Sequence, residues 1–389
     1  MELTDREQKM LDGEFGEAKQ IAMEILVALG RIYNAERMIP VSSAQVAGVS
    51  YKTIGDAGLE YLEHMASIGA KVSIPTFLNP AGMDVKQWKE MKIPNDFAAK
   101  QLRILDAYHK MGIIASYTCT PYLVGIRPKR GEHVAWSESS AVAFANSVLG
   151  AYTNREGGPS ALCAGICGVT PYYGLHINEN RIANFKIKVE AKLESYNDYG
   201  AMGYFIGEKI GNGRPAFSNI KPNEDQMKLL GAAMAAAGAV SIFHIKDVTP
   251  EYIVDERAKE VVFTDEDLKA TKEKIDSKEK PDLVTLGCPH ASIEEIKKVA
   301  ELVKNKKPTC NFWICTARKT MEKAKKLGYD KIIKENGGML VADTCMVVCP
   351  LEEMGFRITG ANSGKAAKYL PSMCKQKVAF GDIEDILYR

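Results

Sequence analysis

Three of the nine cysteines in this 389-residue chain stand where a short apolar run stops: Cys119 after IIASYT, Cys288 after DLVTLG and Cys345 after MLVADT. Each run predicts a β-strand, and a turn-like sequence follows each cysteine. Ligands of open α/β sheets gather just beyond the carboxyl ends of the strands, so thiolates from three such ends can converge. Three thiolates with a fourth position left open are what iron, or an iron–sulfur cluster that also binds substrate, requires. Position alone leaves a second reading open, three buried thiols of the core, because free cysteine is among the most interior residue types. Cys315 also falls near a strand end, while Cys310 alternates within a predicted strand and reads as core. Cys163 and Cys167 share the C-x3-C spacing of Cys345 and Cys349, which is not the C-x2-C common in structural zinc sites. They read as small residues lining a Gly-rich helix start.

Several loops have the composition to receive anions. In VSSAQVAGVSY a strand ends in small residues, and Gly48, Val49 and Ser50 precede a predicted helix start, where backbone N–H groups form a nest for an oxyanion. TFLNPAG closes a strand with Asn79 and Pro80, a polar side chain and a rigid turn. In SESSAVAFANSVLGA, Ser137 reads as the N-cap and places Glu138 and Ser139 at the helix start; a carboxylate there is stabilised by the helix dipole alone or serves a site. ANSGKAAKYLP puts Lys365 in the first turn of a short helix that Pro371 is expected to stop. It lacks the spacing and the terminal Ser/Thr of a P-loop, which disfavours nucleotide binding and leaves a single phosphate or carboxylate as its anion. His290 follows Cys288 closely enough to support a metal ligand, and His176 lies in the Gly-rich region; a lone histidine is more often a satisfied core residue, and neither is placed among the ligands.

The elements that must position these groups form a βα rhythm, which predicts mostly parallel pairing in an α/β fold. Thr4 and Glu7 form a capping box that opens the first helix. Residues 1–125 alternate helix and strand. Residues 126–278 are looser, with Gly-rich segments (NREGGPSALCAGICGVTPYYG, GEKIGNGRP) of the kind found in functional loops, ending in a charged helix and linker. Residues 279–389 return to regular βα units. Three domains on these bounds are expected from the length. Hydrophobic content of 46% and charged content of 26% are those of a globular protein, and 51 basic against 49 acidic residues give no support for a nucleic-acid or membrane-surface role. The N-terminus is too charged for a signal peptide, and Leu229–Phe243, the longest nearly apolar run, is too short for a membrane span; it reads as a buried helix passing through Gly238 into a strand. A cytoplasmic chain with reduced thiols is expected.

Taken together, VSSAQVAGVSY, PTFLNPAGMD, YTCTPY, NREGGPSAL, LGCPH, DTCMVVCP and NSGKAAKY resemble the large subunit of aconitase X enzymes, over about the whole chain. The resemblance implies an aconitase-like multi-domain α/β fold around a metal-binding cleft and a hydro-lyase activity. It is strongest to the archaeal members, which dehydrate (R)-5-phosphomevalonate to trans-anhydromevalonate 5-phosphate in a mevalonate pathway to isoprenoids; relatives dehydrate cis-3-hydroxy-L-proline. The implied cofactor is an iron–sulfur cluster, [4Fe–4S] first, with [2Fe–2S] or a single iron as the other forms, on Cys119, Cys288 and Cys345. Gly48, Val49, Ser50, Asn79, Pro80, Ser139 and Lys365 would hold a phosphorylated hydroxy acid. Glu138 would contact it or protonate the departing hydroxyl. The catalytic base would be a serine of a swivelling domain, which is expected in trans as a small subunit completing a heterodimer. The rival reading of a different class is a metal-binding scaffold without catalysis.

Overall fold

A computed structural model describes residues 1–389. Three parallel sheets carry the chain, with one short separate antiparallel pair between Met38–Pro40 and Val169–Pro171. In the first, Ala44–Val46 lies between Thr76–Leu78 and Ala135–Trp136. The second has four strands in the order His244–Ile245, Pro215–Ser218, Ala183–Val189 and Val254–Phe263. The third has five, in the order Gly338–Ala342, Phe312–Thr316, Leu283–Leu286, Ile358–Ala361 and Lys377–Phe380. The predicted α/β class with mostly parallel pairing is the class observed. No helix is long and apolar enough to cross a membrane.

Local chemistry sets the elements. Thr4 Oγ1 accepts from Glu7 N–H while the Glu7 carboxylate accepts from Thr4 N–H, closing the predicted capping box ahead of helix Asp5–Leu11. The Ala-rich run forms helix Glu224–Gly238 and leaves it through Ala239 in the left-handed conformation before strand His244–Ile245. Along the five-stranded sheet the period-two alternation divides the residues between two cores. Phe312 and Ile314 face the helices of the last hundred residues. Trp313 and Cys315 face the other way, onto a core shared with Met83, Phe97, Ala201, Cys288 and Cys345. That shared core holds the parts together around the site.

Polar contacts fix the same junction. Arg318 bridges the buried carboxylates of Asp84 and Asp343, Ala81 N–H donates to Asp343 O at 2.8 Å, and Lys52 pairs with Glu352 at 2.6 Å. Lys228, buried in helix Glu224–Gly238, pairs with Glu295, which closes the Ser292 capping box of helix Ile293–Asn305.

Four local expectations are corrected. Ser137 is not the N-cap: Glu138 caps helix Ser139–Phe144, and Ser137 Oγ instead donates to Gln45 O and accepts from Ala47 N–H, both at 2.6 Å. Pro371 does not stop its helix, which runs Gly364–Cys374; the proline is exposed while Leu370 and Cys374 on either side of it are buried anchors. Cys310 is half-buried in a bend before strand Phe312–Thr316 rather than inside it. The run before Cys119 makes a single parallel bridge, Phe77 to Ile114, instead of a strand, because Ser116 Oγ bonds both the N–H and the carbonyl of Leu78 in place of the backbone ladder.

Candidate active site

One cavity of about 290 Å³ opens where the first and third sheets meet. Cys119, Cys288, Cys345, Gly48, Val49, Ser50, Asn79, Pro80, Glu138, Ser139 and Lys365 all line it. The sequence-predicted site residues are thus brought together, from segments as far apart as Gly48 and Lys365. Cys163 and Cys167 lie elsewhere, within helix Gly158–Cys167 and its core, and Cys315 faces the shared core without reaching the cavity.

Each thiol arrives on a different stretch of backbone. Cys288 stands two residues beyond strand Leu283–Leu286, and Cys345 three beyond strand Gly338–Ala342. Cys119 is held by Thr118 N–H bonding Leu78 O at 3.0 Å. Behind them His290 is fully buried, its Nδ1 3.0 Å from Thr118 Oγ1 and its Nε2 3.0 Å from Thr344 O. His176 is apart from the site, with its Nδ1 2.9 Å from His133 Nδ1.

Burial raises the thiols above their usual range: Cys119 is pushed up to about 12, although the Lys365 charge pulls the other way. Burial also raises Cys288 well above its usual value, again against Lys365, and each of these thiols feels the charge of Cys345. All three are unpaired. The donor set therefore fits a soft metal or an iron–sulfur group, with a cation already facing it.

Beside the thiols, Lys365 Nζ bonds Glu138 Oε1, and Asn79 Nδ2 donates to Glu138 Oε2 at 2.6 Å. Burial pushes the Glu138 carboxyl upward, but the Lys365 charge and the hydrogen bonds from Lys365, Asn79 and the Ser140 N–H prevail and hold it near about 2. Burial lowers the Lys365 ammonium, and Glu138 more than restores it. The pair is ionised. Asn79 Oδ1 is buried without a partner, an acceptor that a ligand hydroxyl would satisfy. Gly48 has φ +77°, where a side chain is strained, and the N–H groups of Gly48, Val49 and Ser50 have no acceptor within the protein. Ser50 caps helix Tyr51–Ser67.

Thr53, Arg155, Tyr369 and Met373 line the same cavity without having been singled out in the sequence. Tyr369 and Met373 follow Lys365 at intervals of four, and Thr53 follows Ser50 by three, so a helical projection from the chosen residues would have found them. Arg155 sits in the Gly-rich NREGG loop, whose place beside the cavity only the fold defines.

The comparisons with known proteins agree in one direction. The family models for the aconitase X first, second and third domains match residues 1–179, 183–273 and 281–389. The phosphomevalonate dehydratase large subunit of Methanocaldococcus jannaschii is 51% identical, with 100% of this chain and 99% of that protein covered. A cis-3-hydroxy-L-proline dehydratase of Pseudomonas aeruginosa is 33% identical, with 97% of this chain but 68% of that protein covered. The crystal structure of Thermococcus kodakaraensis aconitase X in its holo-form superposes with a TM-score of 0.94 at 46% identity, covering 100% of this chain and 99% of that one. With three domain models matched in order along its length, the chain belongs to the aconitase X family.

Proposed function

We propose that the chain is the large subunit of a hydro-lyase that dehydrates (R)-5-phosphomevalonate to trans-anhydromevalonate 5-phosphate on the mevalonate route to isoprenoids. The observation that carries this reading is a single cavity with three unpaired thiols beside an ionised Glu138–Lys365 pair. Cys119, Cys288 and Cys345 would hold the iron–sulfur cluster or single iron. When bound, iron with an open coordination position supplies the Lewis acid that polarises a leaving hydroxyl.

The chain's own residues bind and orient the substrate. Three free N–H groups at Gly48, Val49 and Ser50 receive an anionic end, Asn79 Oδ1 accepts from a hydroxyl, and Pro80 and Ser139 shape the wall. Such contacts away from the reacting carbon fix its geometry. Elimination breaks a C–H and a C–O bond: the proton goes to a base and the hydroxyl departs with a second proton as water. Glu138 as it stands is an acceptor. A substrate anion that draws Lys365 away would raise the carboxyl and let Glu138 supply that second proton.

The base comes from a partner subunit in this reading. Ser50 Oγ donates to Val348 O at 2.8 Å, Ser137 Oγ to Gln45 O at 2.6 Å, and Ser139 Oγ lies 3.4 Å from Glu138 Oε1. Each serine of the cavity is engaged internally, and the 51%-identical relative is named a large subunit. The hydroxyproline reading is less favoured, because the matched enzyme is more distant and has about a third of its length beyond the match. Anaerobic co-purification with the small subunit, followed by iron and sulfide analysis and assay on 5-phosphomevalonate and cis-3-hydroxy-L-proline, tests the assignment. Turnover of hydroxyproline alone would replace the substrate, and metal without turnover of either would favour the scaffold.

A further inference from the structure

Three side chains of the cavity carry full charges: Glu138, Lys365 and Arg155. Glu138 and Lys365 neutralise each other beside the thiols. Arg155 is exposed, and its one side-chain hydrogen bond is a long 3.5 Å approach of Nη1 to Ala235 O, at the outer limit of a hydrogen bond. A guanidinium with its donors free, in a cavity already balanced elsewhere, matches an oxyanion in charge and shape.

The loop around Arg155 is built to aim it. Asn154 is buried, with Nδ2 bonding Tyr173 O at 3.0 Å and Oδ1 taking the Leu175 N–H at 2.8 Å. Glu156 is buried, accepting from Ser160 Oγ at 2.6 Å and Thr170 Oγ1 at 3.2 Å, while its N–H donates to Trp136 O at 3.0 Å. With both neighbours fixed inward, Arg155 is the residue turned out. Three positions on, a Cβ at Gly158 would lie 2.5 Å from Ala47 O, so this loop packs directly on the one that carries the free N–H groups of Gly48, Val49 and Ser50.

We propose that Arg155, together with those free N–H groups, reads the substrate's phosphate and so selects phosphorylated hydroxy acids over unphosphorylated ones. This rests on the dehydratase reading above and assigns the two ends of the substrate. The reacting end lies at the thiols and the Glu138–Lys365 pair, and the phosphate lies against the Arg155 loop, where a dianion stays partly hydrated.

The test uses the iron-loaded two-subunit enzyme, wild type and Arg155→Ala, with 5-phosphomevalonate and with mevalonate. Loss of a charge-assisted contact predicts a rise in KM for 5-phosphomevalonate of about 10- to 100-fold, with most of the effect on KM rather than kcat. The loss should be much smaller on mevalonate, and Arg155→Lys should recover part of it. Inorganic phosphate should inhibit the wild type competitively and Arg155→Ala far more weakly. Equal iron content and circular dichroism establish that the variant is folded. An unchanged KM with unchanged phosphate inhibition overturns the assignment, as does an equal loss on both substrates. If the wild type itself fails to dehydrate 5-phosphomevalonate, the dehydratase reading falls first, and that outcome is distinct from the others.

Discussion

The backbone N–H of His290 donates to Cys119 Sγ at 3.2 Å, although 171 positions separate the two in sequence. His290 stands two residues after Cys288, and its ring touches Thr118 and Thr344, the residues preceding the other two thiols. One imidazole thereby spaces all three cysteine loops. Because Nε2 faces a carbonyl it must carry the proton, which leaves Nδ1 to accept from Thr118 Oγ1.

Burial lowers the His290 imidazole to about 4, although the Thr344 carbonyl pulls it up. The folded chain therefore keeps it neutral while the unfolded chain takes up a proton below about 6.5. Stability should fall as pH drops from about 6.5 to about 4. His290→Gln should flatten that slope in denaturant titrations of the metal-free chain and weaken iron retention with the cysteines intact. Iron retention equal to wild type would show that the three loops hold their spacing without it.

The raised thiols would make iron uptake a proton-releasing reaction, since thiols bind as thiolates. Reconstitution of the metal-free chain should release about three protons and tighten as pH rises. Cys119→Ser, Cys288→Ser and Cys345→Ser should each deplete iron and abolish activity, whereas Cys310→Ser and Cys163→Ser should keep both. Full iron content in any of the first three would remove that cysteine from the set.

The Glu138–Lys365 pair predicts an acid limb. A carboxyl held near about 2 in the fold, against 4.5 for its ordinary value, contributes stability that is present above about 4.5 and lost as pH falls toward about 2. Lys365→Met leaves a buried carboxylate uncompensated and should cost about 3–5 kcal/mol at neutral pH. Adding Glu138→Gln should recover much of that loss, because the uncompensated charge is then gone. Chemical denaturation of the four chains measures the coupling, and simple additivity of the two substitutions would deny it.

The parts of this site that were legible in the sequence depend on local rules. Cys288 and Cys345 follow strands that form as the apolar runs predict. Cys119 reaches the same place although its strand is reduced to one bridge, because the Ser116 side chain substitutes for the ladder to Leu78. The Thr4–Glu7 box and the helix after Ser50 were readable for the same reason, three or four residues deciding each. The ion pair of Glu138 with Lys365 spans 227 positions, and no local pattern announces it. Arg155 was hidden in the same way, since its loop meets the Gly48 loop through tertiary packing such as the close approach at Gly158.

The serines of the cavity are already bonded to internal acceptors, and an ionised Glu138 is occupied by Lys365 and Asn79. In the two-subunit reading, the base that removes a carbon-bound proton would approach across the open mouth, where the small subunit would dock and bury on the order of 1,500 Å² for a stable complex. The iron-loaded chain by itself should bind 5-phosphomevalonate without dehydrating it, and the separately expressed small subunit should restore turnover. Replacing one serine of that subunit should then abolish turnover while iron stays in this chain. Robust dehydration by the isolated chain would place the base among the residues described here and end the two-subunit reading.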